Sequence, residues 1–154
     1  MLKIKPFKQT KGYCGPASLK MLLSYYGIDK SEDYLAKLVG ASRETGCGED
    51  GLMDAGKKLG FKAYSKVESS IEELKELIEK GIPVMVAWFS PEENGHYSLV
   101  IGFEKNKIVM NDPHFGKEIK MDIKQFLIRW FDFDNYPIKD CSELGIRRII
   151  VIQK

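Results

Sequence analysis

His96-Tyr-Ser-Leu-Val-Ile-Gly-Phe103, Glu104-Lys-Asn-Lys107, Ile108-Val-Met-Asn-Asp112: two β-rich apolar runs, joined by four polar residues, decide the fold. Such runs around a short polar turn predict an antiparallel hairpin, with strands over Tyr97–Phe103 and Ile108–Asn111. If Phe103 pairs with Lys107, paired residue numbers sum to 210, so Ser98 faces Asp112 and His96 faces His114. A shift of two gives a sum of 208 and sets His96 directly opposite Asp112. Side chains alternate faces along a strand, so both registers put His96 and Asp112 on one face. They are then direct or diagonal neighbours, roughly 5–8 Å apart.

More strands surround the hairpin. Pro83–Phe89 reads as a buried strand, Gly116–Met121 as another, and Ile146–Ile152 as a closing strand. Asp122, with Gln125 three later, predicts a helix with Ile123, Phe126, Leu127 and Trp130 inward. Toward the N-terminus the pattern turns helical. Leu19, Leu22, Leu23 and Tyr26 fall at i, i+3, i+4 and i+7 of a helix from Gly15 to Tyr26, stopped by Gly27. Ser31 is an N-cap for a helix to Val39, with Leu35, Leu38 and Val39 inward and Gly40 at its end. Residues 41–50 carry loop chemistry, and Asp50 is placed to cap a third helix to Leu59, closed by Gly60. A short strand follows near Phe61–Val67. Ser70 and Glu73 form a capping box for a helix carrying Ile71, Leu74 and Ile78, ended by Gly81. Helices first and an antiparallel sheet afterwards is the α+β class.

The 154 residues are expected to form a single domain over 1–154. The 24 Lys and Arg against 22 Asp and Glu leave a net charge of +2, which gives no electrostatic reason to expect nucleic acid or a membrane surface as partner. The longest apolar run, Pro83–Phe89, falls far short of the roughly 18 residues of a membrane span, and Met1–Thr10 lacks the apolar run of a signal peptide. Three scattered cysteines argue against a disulfide scaffold and for a reducing compartment. The expectation is a free-standing cytoplasmic protein with no cofactor.

Cys14 stands where the first helix starts, in Gln9-Thr-Lys-Gly-Tyr-Cys14-Gly15-Pro16. Pro16 is tolerated in a first turn because its missing N–H would have had no partner there. The sulfur therefore meets the positive end of the helix dipole and its unpaired N–H groups, both of which favour negative charge on it. A cysteine at a helix start also serves simply as a small apolar residue. What favours chemistry is the ordered set of cysteine, histidine and acid in a chain with two histidines. The acid would fix the imidazole's tautomer and stabilise its charged form.

Gln-x4-Cys-Gly-Pro-Ala-Ser-Leu-x-Met, Gly-His-Tyr-Ser-Leu-Val-Ile-Gly-Phe and Asn-Asp-Pro together resemble the double-glycine leader peptidase family. These are papain-like cysteine peptidase domains of bacteriocin-processing ABC transporters and their free-standing relatives. The resemblance runs from Gln9 to the Asp122 helix and more weakly to the last strand. It implies a papain-like fold with the N-terminal helix packed on an antiparallel sheet. It implies Cys14 as nucleophile, His96 as general base and then acid, and Asp112 as the group orienting His96. Gln9 would donate its amide to the oxyanion hole beside the Cys14 N–H. Two departures stand out: Gln9 lies five residues before the cysteine where papain-like enzymes usually have six, and no transporter segment is present.

The substrate expected is a peptide or protein, cut after a Gly-Gly pair by analogy. The alternatives are a catalytically silent peptide-binding domain and an acyl transferase on the same triad. Cys47, in Gly-Cys-Gly, is expected to line the cleft, and Cys141 to be incidental. His114 is the other imidazole within reach of Cys14. A zinc site from Cys14, Cys47, His96 and His114 finds no support in ligand spacing. Trp88, Tyr97 and Trp130 are expected in the core, and the Glu72–Lys80 helix to show a solvated face.

Overall fold

The computed structural model describes residues 1–133 and 138–154. Three helices come first: α1 (Cys14–Tyr25), α2 (Glu32–Val39) and α3 (Glu49–Lys58). Then follow β1 (Lys62–Lys66), α4 (Ile71–Glu79), β2 (Val84–Ser90), β3 (Asn94–Glu104), β4 (Lys107–Asp112), β5 (Lys117–Asp122) and α5 (Ile123–Arg129). Short strands β6 (Phe131–Phe133) and β7 (Leu144–Ile146) pair with each other, and β8 (Ile149–Gln153) ends the chain. The main sheet is antiparallel, in the order β1-β8-β2-β3-β4-β5.

Alternation along the central strands gives the sheet two apolar faces. Met85, Ala87, Leu99, Ile150 and Ile152 face α1–α3, where Leu19, Leu22, Leu23, Leu35 and Leu52 are fully buried. Val84, Val86, Trp88, Val100 and Val151 face α4 and α5, against Leu74, Phe126 and Trp130. Each buried aliphatic side chain contributes roughly 1.5–3 kcal/mol, so α1 is fixed to β3 chiefly by its leucines. Trp88, Tyr97 and Trp130 lie in the core as expected. No helix among the described residues is long and apolar enough to cross a membrane.

The helix starts follow the capping chemistry with some differences. The Ser31 hydroxyl accepts from Tyr34 N–H and the Ser70 hydroxyl from Glu73 N–H. Glu73 turns its carboxylate to Lys66, 2.9 Å away, so the box works through its serine half. Gly48, not Asp50, caps α3; Asp50 sits in the first turn beside Glu49, where the dipole favours acids. Asp122 caps α5 through Lys124 N–H.

Two further expectations fail. Leu127 is 41% exposed, because Phe126 and Trp130, one turn apart, set the inward side of a seven-residue helix. Ile146–Ile152 is not one strand. Arg147 takes φ 53° and gives its N–H to Trp130 O, so Ile146 ends β7 and Ile149 starts β8. Nothing local in Ile146-Arg-Arg-Ile149 marks Arg147 as the left-handed residue.

Candidate active site

The Gln9 loop is fastened at both ends. Gln9 N–H donates to Pro113 O at 2.9 Å, and Thr10 gives its N–H and hydroxyl to the two Glu32 oxygens. A tight turn follows, Tyr13 N–H to Thr10 O at 2.9 Å, with Gly12 at φ 85°. Any side chain at Gly12 would also collide with the Arg43 carbonyl. This turn is how five residues carry the chain from Gln9 to the helix.

Cys14 opens α1 and is 9% exposed. Behind it, Gly15 leaves room for Cys47: a Cβ there would lie closer than 3.0 Å to Cys47 Sγ. Cys47 thus packs beside the helix start. Burial, with the Cys14 sulfur nearby, pushes its thiol up to about 12. Burial thus favours its neutral thiol form, and it lines the cleft as expected.

His96 and Asp112 meet as the hairpin predicts, by an unforeseen route. Near the turn the pairs are Glu104↔Lys107 and Phe103↔Ile108; beyond a bulge between Val100 and Gly102 they become Val100↔Met110 and Leu99↔Asn111. The sum is 211 at the turn and 210 at the site. Both residues are about 1% exposed. His96 Nε2 donates to Asp112 Oδ2 at 3.1 Å, and Ser98 Oγ donates to the same oxygen at 2.9 Å. Asp112 Oδ1 accepts from the backbone N–H of His114 at 2.8 Å and of Phe115 at 3.3 Å. Burial raises the Asp112 carboxyl, but His96, Ser98 and the Phe115 N–H outweigh it and hold it below the usual range. Trp88 closes the assembly, its Nε1–H on Ser98 Oγ at 2.9 Å and its ring edge-on to His96.

With Nε2 committed to Asp112, Nδ1 turns the other way. Cys14 Sγ, a His96 ring nitrogen and a Glu93 carboxylate oxygen all lie within 4.8 Å of one another. Burial disfavours the imidazolium, yet Asp112, Cys14 and Glu93 together raise His96 to about 11. The ring is held charged between two carboxylates and a sulfur. Such a pair can supply an activated sulfur and a proton for a departing amine.

Glu93, in the β2–β3 turn, is the residue the sequence reading missed. Its carboxylate accepts from Gln9 Nε2 at 3.1 and 3.3 Å, lies 2.7 Å from His114 Nδ1, and lies 3.6 Å from His96 Nδ1. His96 lowers its carboxyl most; with His114 and Gln9, and against burial, the value falls to about 2. The Gln9 amide therefore faces an anion that the chain itself provides. No spacing rule picks Glu93 over Glu92 in Ser-Pro-Glu-Glu-Asn-Gly. Only its place three residues before His96, in a Pro/Gly turn, hinted at it.

The zinc quartet that ligand spacing left unsupported does not assemble: among the described residues the compact set is Cys14, His96 and Glu93, with Cys47 and His114 outside it. Cys141 is exposed in a short 3-10 turn. Cys14 opens on a cleft of about 720 Å³ between the 44–49 loop and the β2–β3 turn. Phe89, Tyr97 and Phe133 supply its apolar wall, and Glu44, Glu49 and Asp132 its acidic rim.

Comparison with known proteins bears on the fold and the family. A Lactococcus lactis subsp. lactis (strain IL1403) lactococcin transport/processing ATP-binding protein, LcnC-like, is 31% identical over 119 residues, 76% of this chain but 16% of that protein. The chain thus spans about a sixth of the length of that relative. The crystal structure of the peptidase domain of Streptococcus ComA, a bifunctional ABC transporter of a quorum-sensing pathway, superposes with a TM-score of 0.73 at 25% identity, covering 99% of this chain and 98% of that one. A double glycine motif protease from an AMS/PCAT transporter, in complex with its leader peptide, also gives 0.73, at 21% identity over 98% of this chain and 91% of that one. The fold is that of the papain-like C39 peptidase domains. The Peptidase C39-like family pattern matches residues 1–138, and the chain belongs to that family.

Proposed function

We propose that this chain is a cysteine peptidase in which Cys14 attacks a peptide carbonyl, His96 moves the proton and Asp112 holds the ring. One observation carries the reading. The imidazole is fixed by a buried carboxylate on Nε2 and presents Nδ1 to a cysteine at a helix start. Cys14 Sγ adds to the carbonyl carbon. The tetrahedral oxyanion collapses as His96 gives its proton to the leaving amine, leaving a thioester. Water, deprotonated by His96, then releases the acid and restores Cys14. Gln9 would serve the oxyanion once the substrate oxygen takes the Glu93 carboxylate's place on its amide. One such donor is typically worth about 3–4 kcal/mol of barrier.

The transporter relatives guide the choice of substrate: a peptide ending its leader in Gly-Gly, lying in the cleft between the 44–49 loop and Phe133. The test is incubation of the chain, and of Cys14→Ala, with leader peptides carrying Gly-Gly or Ala-Ala at the junction, read by mass spectrometry. Cleavage after Gly-Gly by wild type alone supports the reading. Binding without cleavage identifies a docking domain. A product joined to an added primary amine identifies acyl transfer.

A further inference from the structure

The groups around Cys14 form a second kind of site. His96 Nδ1 is fully buried and has no hydrogen-bond partner, although the ring is 1% exposed and its other nitrogen is bound. It points to the space shared with Cys14 Sγ and the Glu93 carboxylate. The metal-free ring is charged; when an ion displaces the Nδ1 proton, Asp112 still accepts from Nε2–H and Nδ1 offers its lone pair. Carboxylate-backed histidine is the usual arrangement around a protein-bound metal. The Glu93 carboxylate is itself held, by Gln9 and His114. Its Oε2 lies 3.6 Å from His96 Nδ1. Metal–ligand bonds of about 2.0–2.1 Å at a tetrahedral angle set the two atoms about 3.3 Å apart, so a shift of tenths of an ångström would suffice.

The donor set selects the ion. Magnesium and calcium need cages of oxygen, and one carboxylate does not make one. A thiolate, an imidazole and a carboxylate suit zinc, with water as fourth ligand. We propose that Cys14 Sγ, His96 Nδ1 and a Glu93 oxygen bind one Zn²⁺ ion, and that the ion shuts off the nucleophile reversibly. Metal binding stands on the geometry alone, whereas its inhibitory meaning rests on the peptidase reading. Zinc there takes up both the sulfur lone pair that attacks and the ring nitrogen that carries the proton. Glu93 is thereby a metal ligand contributed by the β2–β3 turn, with no part in the triad.

The test uses the purified chain, reduced with a phosphine and freed of metal, titrated with Zn²⁺ and separately with Co²⁺. One ion should bind per chain, and Co²⁺ should give the near-ultraviolet band of a thiolate ligand. Zn²⁺ should slow iodoacetamide labelling of Cys14 at least about tenfold, with the rate restored by a chelator. Glu93→Gln and Glu93→Ala should each weaken binding at least about tenfold, the scale seen when ligand shells are disturbed. Cys47→Ser and Cys141→Ser should leave it unchanged. Equal affinity in both Glu93 variants, loss of the band in Cys47→Ser, or labelling of Cys14 indifferent to Zn²⁺ would each overturn the site. A chain that binds zinc in this way but cleaves no peptide keeps the site and loses the peptidase reading. One that cleaves peptides with no zinc protection does the reverse.

Discussion

Replacing Asp112 by Asn keeps the shape of the side chain and removes its charge, and the structure sets the size of the effect. All four bonds to this buried carboxylate are acceptances: His96 Nε2 and Ser98 Oγ on one oxygen, the N–H groups of His114 and Phe115 on the other. An amide has one accepting end. If its NH2 faces the two backbone N–H groups, two buried donors lose their acceptor, at about 1–3 kcal/mol each. If it faces His96, the ring must accept on Nε2 and carry its proton on Nδ1, the side of Cys14. Either way the partner of a buried imidazolium is gone, and breaking such a pair costs about 3–5 kcal/mol. At about 2–4 °C per kcal/mol for a chain of this size, Asp112→Asn should melt roughly 6–20 °C lower. Cys14 should also lose reactivity, because the second orientation cannot take a proton from sulfur; in a serine protease the matching change costs about 10⁴ in kcat. The assay pairs thermal melts with iodoacetamide labelling of Cys14 near neutral pH. A variant melting within about 2 °C of wild type and labelling at the wild-type rate would refute the assignment of Asp112.

Two further predictions rest on single contacts. Gly15→Ala drives a methyl into Cys47 Sγ and should cost about 1–3 kcal/mol in urea unfolding, the scale of overpacking; Gly15→Ala with Cys47→Ala should recover most of it, and a double variant no better than the single would refute the contact. The Glu93 carboxyl is depressed from 4.5 to about 2, so its contribution is present above about 4.5 and lost as pH falls through 2. The gap in urea midpoint between wild type and Glu93→Gln should therefore narrow from pH 6 to pH 3, and a constant or widening gap would contradict the pairing with His96.

The parts of this protein legible in its sequence are those governed by local chemistry. Ser31 and Ser70 cap helices because a hydroxyl beside free N–H groups is a local matter. The leucine spacing of α1 and the valine-rich central strands declare their buried faces for the same reason. Glu93 stayed hidden because its importance comes from convergence. Gln9 and His114 reach it from two loops and His96 from β3, and no local pattern encodes that meeting. The split before β8 stayed hidden because arginine at positive φ is held by Trp130 O, a contact distant in sequence.

The hairpin shows how a correct conclusion can follow from an incomplete premise. Both registers considered from sequence had even sums and so gave His96 and Asp112 a common face. The turn adopts an odd one, with Lys105 at φ 53° inside a two-residue connection. Carried to the far end, a sum of 211 would pair Asp112 with Leu99. The carboxylate would then share the face that packs on α1–α3, away from His96. The extra residue at Ile101 restores even parity, and its carbonyl, which a bulge removes from the ladder, accepts from Leu2 N–H at 2.7 Å. The N-terminal segment therefore stabilises the irregularity on which the His96–Asp112 pair depends. Geometry at the candidate site is set in part by a backbone bond whose donor, Leu2, lies more than ninety residues from either partner in sequence.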